Sequence, residues 1–468
     1  MVSYTIMIIE VKTREILSDL LRRTGKGMKS DCTLHKGCGK CRVKLLSGLW
    51  ESGGKLLPAP ASAVACVTRL KSCIGTIELP EEEVSPPLAA ETWNHVPELP
   101  QIAEPVIAVD MGTTTIAAAR IEKGSIVKSV SAFNRQIPFG DNVMSRIASS
   151  KENFTSLRNT LLETIHELLE ELDYKSVERI GIAGNTVMNC FLHGIPPFSI
   201  GFYPFKAPQL LFPERGDLWE NKRVLTLPSL TGLLGGDITG GLYESSLEEG
   251  EMLIDLGTNC EIIYRSSEGF FGTSAAAGPA FEGAGISCGS RAAAGAVDHY
   301  FADGGFSVIG GGTPQGICGS ALVDFLAVER GKGTLDRFGR LTSGAKSVEL
   351  APGITITEED IAELLKAKAA VSAAIKTLEQ YCKEPLRRLK IAGGFARYLD
   401  PESARKIGLL PPCPALICGN LSLAGAAHCA ATPEILEEMA GLSKKIREIH
   451  LNEYPGFEAN FTAGLLLL

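Results

Sequence analysis

Apolar positions follow three different patterns along this chain. The first 80 residues carry short β-type runs. Tyr4-Thr5-Ile6-Met7-Ile8-Ile9-Glu10-Val11 predicts a strand, and Ile16–Arg23 has helical spacing. Cys41–Leu45 and Thr76–Leu79 alternate polar with apolar residues, as half-buried strands do. The pattern then stops. Pro80-Glu81-Glu82-Glu83, Pro86-Pro87 and the scattered Pro97, Pro100 and Pro105 predict an extended linker.

From Val106 onward, continuous apolar runs alternate with amphipathic ones. Val106–Asp110, Arg179–Ala183, Glu251–Gly257 and Leu389–Phe395 predict buried strands. Ser156–Leu172 and Glu358–Tyr381 predict long helices. Strands alternating with helices imply α/β layers. One stretch echoes another: Ile107-Ala108-Val109-Asp110-Met111-Gly112-Thr113-Thr114 resembles Leu253-Ile254-Asp255-Leu256-Gly257-Thr258-Asn259. Asp110 and Asp255 stand 145 residues apart, room for one lobe of a duplicated fold. The expected organisation is therefore an N-terminal domain over 1–82, a linker over 83–104, a first lobe over 105–248 and a second over 249–468.

Composition narrows the function class. Of 468 residues, 45% are hydrophobic and 21% charged, which excludes a disordered chain. The net charge of −8 lacks the basic footprint of a nucleic-acid binder. No apolar run reaches the ~18 residues of a membrane span, and Met1-Val2-Ser3-Tyr4-Thr5 lacks a basic signal-peptide start. A soluble, cytoplasmic protein with no membrane partner is expected.

Five of the 13 cysteines lie between Cys32 and Cys73. Cys32-(x5)-Cys38-(x2)-Cys41 with one remote cysteine is close to plant-type [2Fe–2S] spacing. Thiolates suit such a centre, and three ligands on one loop can wrap it. A structural zinc site usually shows two separated pairs instead. Spacing alone leaves the fourth ligand open between Cys66 and Cys73. Lys36, Lys40, Arg42 and Lys44 flank the loop, either as solvated charges or as a surface for an acidic redox partner.

The two Asp-x-Gly-Thr turns suggest a phosphate site. Glycine lets backbone N–H groups approach phosphates, threonine hydroxyls add donors, and aspartates hold Mg²⁺ directly or through water. Gly112, Thr113, Thr114 and Thr115 form the first turn, and Gly257, Thr258 and Asn259 the second. Gly393, Gly394 and Phe395 offer a flat platform for adenine and ribose. Asp237, after Gly235-Gly236, is a candidate base, a second Mg²⁺ contact or a helix cap. His193, His299 and the cysteines from Cys190 to Cys429 have no ligand spacing and are expected to be structural.

Together the turns and the glycine platform resemble the superfamily of acetate and sugar kinases, Hsp70 and actin. The whole chain resembles the reductive activators of corrinoid proteins. The marks are Cys38-Gly39-Lys40-Cys41-Arg42-Val43, Ala65-Cys66-x-Thr68-Arg69, both Asp-x-Gly-Thr turns, Gly184-Asn185-Thr186, Ala277–Gly283, Gly316–Ser320, Ala392–Phe395 and Gly419–Ala426. The chain departs from the family where Thr33-Leu34-His35, rather than glycines, follow Cys32.

The resemblance implies a multidomain chain: an α+β ferredoxin-like (β-grasp) domain, then a two-lobed α/β actin-like (ribonuclease H-like, ASKHA) ATPase. It implies Cys32, Cys38, Cys41 and Cys66 as cluster ligands. Asp110, Asp255 and Asp237 would act as catalytic carboxylates around ATP and Mg²⁺. The activity implied is one-electron reduction of Co(II) to Co(I) in the corrinoid protein of a methyltransferase system. A low-potential donor would stand upstream, and a homodimer is expected. A plant-type cluster near about −400 mV facing an acceptor ~100 mV lower makes the transfer uphill by ~2.3 kcal/mol, a gap that differential binding of two protein states can cover. Other readings of the same residues are an electron donor to another metalloenzyme, a small-molecule kinase with a redox-sensing domain, or a nucleotide-switched sensor.

Overall fold

The computed structural model of the chain describes residues 6–23, 41–80, 104–140 and 142–468. These fall into two compact units, divided after residue 85 except that 135–141 group with the first.

The first unit holds β1 (Ile6–Val11), α1 (Leu17–Arg23), β2 (Arg42–Ser47), β3 (Leu49–Ser52), β4 (Lys55–Pro58), β5 (Ala61–Val64), β6 (Thr68–Leu70) and β7 (Gly75–Pro80). The main sheet runs β1-β7-β2-β5 and a smaller one β4-β3-β6, all antiparallel. The alternation in β2 works as expected: Val43 and Leu45 are buried, while Arg42 and Lys44 face outward. Trp50 is fully buried among Leu45, Leu70 and Ile77. Its indole N–H donates to the Ser47 carbonyl at 3.0 Å, so burial strands no polar atom.

The second unit repeats one sheet. Its first half holds β8 (Val106–Met111), β9 (Thr115–Glu122), β10 (Ser125–Phe133), α2 (Val143–Glu171), β11 (Arg179–Gly184), α3 (Thr186–His193), β12 (Arg223–Thr226) and α4 (Gly236–Ser245). Strand order is β10-β9-β8-β11-β12. The meander β8–β9–β10 is antiparallel, and β8, β11 and β12 are parallel.

The second half opens with β13 (Glu251–Leu256), β14 (Cys260–Ser266) and β15 (Gly269–Ala275). A small sheet of β16 (Ala296–Tyr300), β17 (Phe306–Val308) and β18 (Gly316–Ile317) follows, then α5 (Gly319–Gly331). The hairpin β19 (Ser347–Ala351) and β20 (Ile354–Thr357) leads into α6 (Glu358–Cys382). Then come β21 (Arg388–Ala392), α7 (Pro401–Lys406), β22 (Ala415–Gly419), α8 (Leu421–Ala431), α9 (Ile435–Leu442), β23 (Ile446–Glu448) and α10 (Phe457–Gly464). The sheet runs β22-β21-β13-β14-β15-β23. Without the edge strand β23 this is the order of the first sheet, so the sequence echo marks a duplicated fold. Both echo strands are buried at every position but one, and that one is the aspartate.

The chain after Gly112 turns back into a strand that the hydrophobic pattern does not single out: Thr115–Glu122 is alanine-rich, but four consecutive residues are buried in the sheet, and burial overrides helix propensity. One expectation shifts its bounds. The helix expected over Ser156–Leu172 starts earlier, at Val143. Asn142 caps it by accepting from the Ser145 N–H, and Ser145 reciprocates. The early turns are rich in Ser, Lys and Glu, and Asn153 breaks the helical dihedrals, so their periodicity is weak. The expected linker lies outside the described residues except for Glu104. Among the described residues no helix is long and apolar enough to cross a membrane.

Helix α8 belongs to the end of the chain but packs on β8 and β11 of the first sheet and on α4. The approach is backbone to backbone. A Cβ on Gly425 would lie 2.5 Å from the Gly240 Cα, and one on Gly181 would lie 2.0 Å from the Ala426 oxygen. On an exposed helix, Gly→Ala stabilises by about 1 kcal/mol. Gly425→Ala is expected instead to cost about 1–3 kcal/mol by overpacking, measured as a fall in the thermal midpoint; an unchanged or raised midpoint would show that the helices part freely.

Candidate functional site

The two aspartate-ended strands bring their turns together at one cleft of about 230 Å³. It is lined by Asp110, Gly112, Thr113, Thr114 and Thr115 from the first half, and Asp255, Gly257, Thr258 and Asn259 from the second. Asp237, Gly393, Gly394 and Phe395 line it too. The turns touch: the Thr114 and Thr258 hydroxyl oxygens are 3.2 Å apart.

Each turn is held by side chains from elsewhere. Asn134 donates to the Gly112 carbonyl at 3.0 Å, Asn185 donates to the Thr113 hydroxyl at 3.0 Å, and the buried Arg146 donates to the Thr113 carbonyl. Asn420 donates to Asp110 at 2.8 Å. Gly393 has φ +98°, and a Cβ there would sit 2.6 Å from the Asp255 carboxylate. Gly394 opens onto free space. Phe395 stacks on Phe281 with centroids 5.2 Å apart.

Four helices start at this cleft. Asn185 caps α3, Cys318 precedes α5, Asn420 caps α8, and Asp237 sits in the first turn of α4 behind its cap, Gly235. Helix N-termini carry unpaired N–H groups and partial positive charge, which suits an anion. Asp237 is thus not the cap; its carboxylate accepts from the Ile238 N–H at 2.8 Å.

The carboxylates crowd. Burial raises Asp110 to about 7; Asn420 opposes that shift and Asp237 adds to it. Burial, then Asp237 and Asp110, raises Asp255 to about 8. Burial also raises Asp237 and Glu261. Among the described residues no three His, Cys, Asp or Glu side chains form a ready-made metal cage. A cation here would keep several waters and be completed by a ligand's phosphates, the way Mg²⁺ usually binds.

The cysteines separate. The Ala65 N–H donates to the Cys41 carbonyl at 2.8 Å, so the β2–β5 ladder sets Cys41 beside Ala65 and Cys66 at one end. Both thiols are buried. Cys73 is exposed and precedes β7 at the other end of β2, where Leu49 donates to the Ser72 hydroxyl. At ~3.3 Å per strand residue the two ends are roughly 20 Å apart. Cys32 and Cys38 lie outside the described residues, as do Lys36 and Lys40; Lys44 pairs with Glu78 at 2.6 Å.

His193 and His299 stay off the cleft: His193 shares a hydrogen bond with Thr226 at 2.9 Å, and His299 with Asp324 at 2.9 Å. Of the later cysteines, Cys288, Cys382 and Cys413 are only partly buried, and Cys318 lines the cleft. Arg146 and Asn134 carried no sequence signal, because their partners are main-chain carbonyls of a distant turn.

The raised aspartates have a cost that depends on pH. Between the ordinary carboxylate range and about 8, the folded state keeps protons that the unfolded chain has lost, so its stability falls as pH rises. The thermal midpoint of the nucleotide-free protein should decline from pH 5 to 8.5. Asp255→Asn should flatten that slope and raise the midpoint at pH 8 by a few degrees, whereas a midpoint that ignores pH in both proteins would refute the raised aspartates.

Comparison with known proteins adds the family. Residues 5–71 match the 2Fe-2S iron-sulfur cluster binding domain, 106–250 the RACo middle region, and 249–468 the C-terminal domain of RACo, the ASKHA domain. The chain is 30% identical to the corrinoid activation enzyme RamQ of Eubacterium limosum over 397 aligned positions, covering 73% of this chain and 66% of that protein. It is 27% identical to the Co(II) methylated amine-specific corrinoid protein reductase of Methanosarcina barkeri, covering 74% of this chain and 73% of that one. A solved structure of a reductive activator for a corrinoid, iron–sulfur protein superposes with a TM-score of 0.71 at 25% identity, over 98% of this chain and 96% of that one. With both RACo regions in order behind an iron–sulfur domain, the chain belongs to the reductive activators of corrinoid proteins.

Proposed function

We propose that this enzyme couples Mg-ATP binding and hydrolysis to the delivery of one electron to a corrinoid protein of a methyltransferase system, returning Co(II) to Co(I). The observation that carries the reading is the double-turn carboxylate cleft on the same chain as an iron–sulfur domain. The electron balance needs a low-potential reductant upstream, and ATP leaves as ADP and phosphate. We assign 1–82 to the ferredoxin-like domain, 83–104 to a linker, and 105–248 and 249–468 to the two lobes.

Cys32, Cys38, Cys41 and Cys66 would hold the [2Fe–2S] cluster, which when bound supplies a one-electron store. Burial of Cys41 and Cys66 at one ladder end supports Cys66 over the distant Cys73. In the cleft, Gly112–Thr115 and Gly257–Asn259 would face the phosphates and their cation, and Gly393, Gly394 and Phe395 the nucleoside. Asp110, Asp255 and Asp237 would hold the cation's waters; burial, and after it the neighbouring carboxylates, raises Asp110 and Asp255, and a bound cation would favour their charged forms. A ligand that touches both halves favours one arrangement of them, and that bias is the free energy available for an uphill transfer.

The test uses anaerobically reconstituted protein, a chemical donor and a Co(II) corrinoid protein, followed by visible absorption. Co(I) should form only with Mg-ATP. Asp110→Ala should abolish it and leave the cluster spectrum intact. Cys66→Ser should disturb that spectrum and Cys73→Ser should not. Equal Co(I) formation without nucleotide would refute the coupling, and the reverse cysteine result would exchange their roles.

A further inference from the structure

Thr113 and Thr258 occupy equivalent places in the duplicated fold, each three residues after its strand's aspartate. Their hydroxyls are wired in opposite senses. A hydroxyl has one proton to give and two lone pairs to receive. Thr113 receives a proton from the Asn185 amide at 3.0 Å. That amide's orientation is fixed, because its oxygen accepts from the Met188 N–H at 3.0 Å as the cap of α3. Thr113 therefore keeps its own proton for a ligand. Thr258 gives its proton to the Glu282 carboxylate at 2.7 Å. With that proton committed, the 3.2 Å contact between Thr114 and Thr258 must have Thr114 as donor. Thr258 then has only lone pairs to offer.

We propose that Glu282 is a positioning residue that turns the Thr258 hydroxyl into an acceptor, so that the second turn serves the cation and its waters while the first turn serves the phosphates. This rests on the Mg-ATP reading of the cleft. A phosphate oxygen only accepts, so it gains nothing from an oxygen whose proton is taken. The waters of a hydrated cation only need acceptors. Asp255 stands on the same turn, and Asp110 and Asp237 line the same cleft. The unequal turns fit this division. Met111 pairs with Ile116 in the first hairpin and Leu256 with Cys260 in the second, so the first loop has one residue more.

Glu282 is held firmly enough for the task. It ends a short helical turn, Pro279–Glu282, between two glycines at φ +75° and +78°. A Cβ on Gly283 would lie 2.6 Å from the Ser290 backbone. The neighbouring Phe281 is stacked on Phe395 across the cleft wall.

The test is Mn²⁺ titration followed by electron paramagnetic resonance, on the full chain with ADP, alongside ADP affinity measured in a chelator. Wild-type protein that binds ADP but retains no Mn²⁺ would overturn the cation reading itself. Glu282→Ala should weaken Mn²⁺ in the nucleotide complex by roughly tenfold, the scale of one charge-assisted hydrogen bond. Its metal-free ADP affinity should be unchanged or tighter, since Thr258 regains a proton to donate. Glu282→Gln, whose amide oxygen still accepts, should recover most of the Mn²⁺ affinity. Should Glu282→Ala fail to fold, Thr258→Val carries the same expectation for Mn²⁺. The proposal is overturned if either variant leaves Mn²⁺ binding within twofold of wild type, or if metal-free ADP weakens as much as Mn²⁺ does.

Discussion

The constraint on which the second unit's cleft depends is the burial of three carboxylates together, with their mutual repulsion second. Two copies of one sheet each bury a strand completely except at an aspartate, and the turns after those strands meet at one cleft. Asp110 and Asp255 thereby share a cleft with Asp237, and burial leaves little water to screen them. Burying them costs the fold stability as pH rises, and under the proposed Mg-ATP reading a bound cation would offset that cost. Four helix N-termini at the same cleft supply the complementary preference for anions. A cation carried on a phosphate chain satisfies both at once.

The fold was legible where burial and periodicity agreed. The strands around Asp110 and Asp255 are unbroken apolar runs closed by the same turn, so both their existence and their kinship could be read. The hairpin after Gly112 could not, because Ala117, Ala118 and Ala119 favour a helix in isolation and only the sheet that buries them says otherwise. The start of α2 was hidden by its polar early turns and the break at Asn153.

The site divides the same way. The glycines, threonines and aspartates of both turns follow from local chemistry, and all of them line one cleft. What holds them does not follow. Asn420 reaches Asp110 from 310 residues away, and Arg146 grips a carbonyl rather than a side chain. Spacing could not choose between Cys66 and Cys73, because both follow Cys41 at plausible distances. Strand direction separates them, since β5 returns to the start of β2 and β7 begins at its end.

The glycine contact between α4 and α8 has a mechanical consequence. Most packed helices interlock through side chains, and moving one past the other means changing rotamers. Gly240 and Gly425 meet without side chains, and α4 touches strands of both sheets. Away from that point Ile238 and Leu242 of α4 share an apolar cluster with Leu421 of α8, so the seam holds strands of both sheets at close range and any shear between them must unlock that cluster.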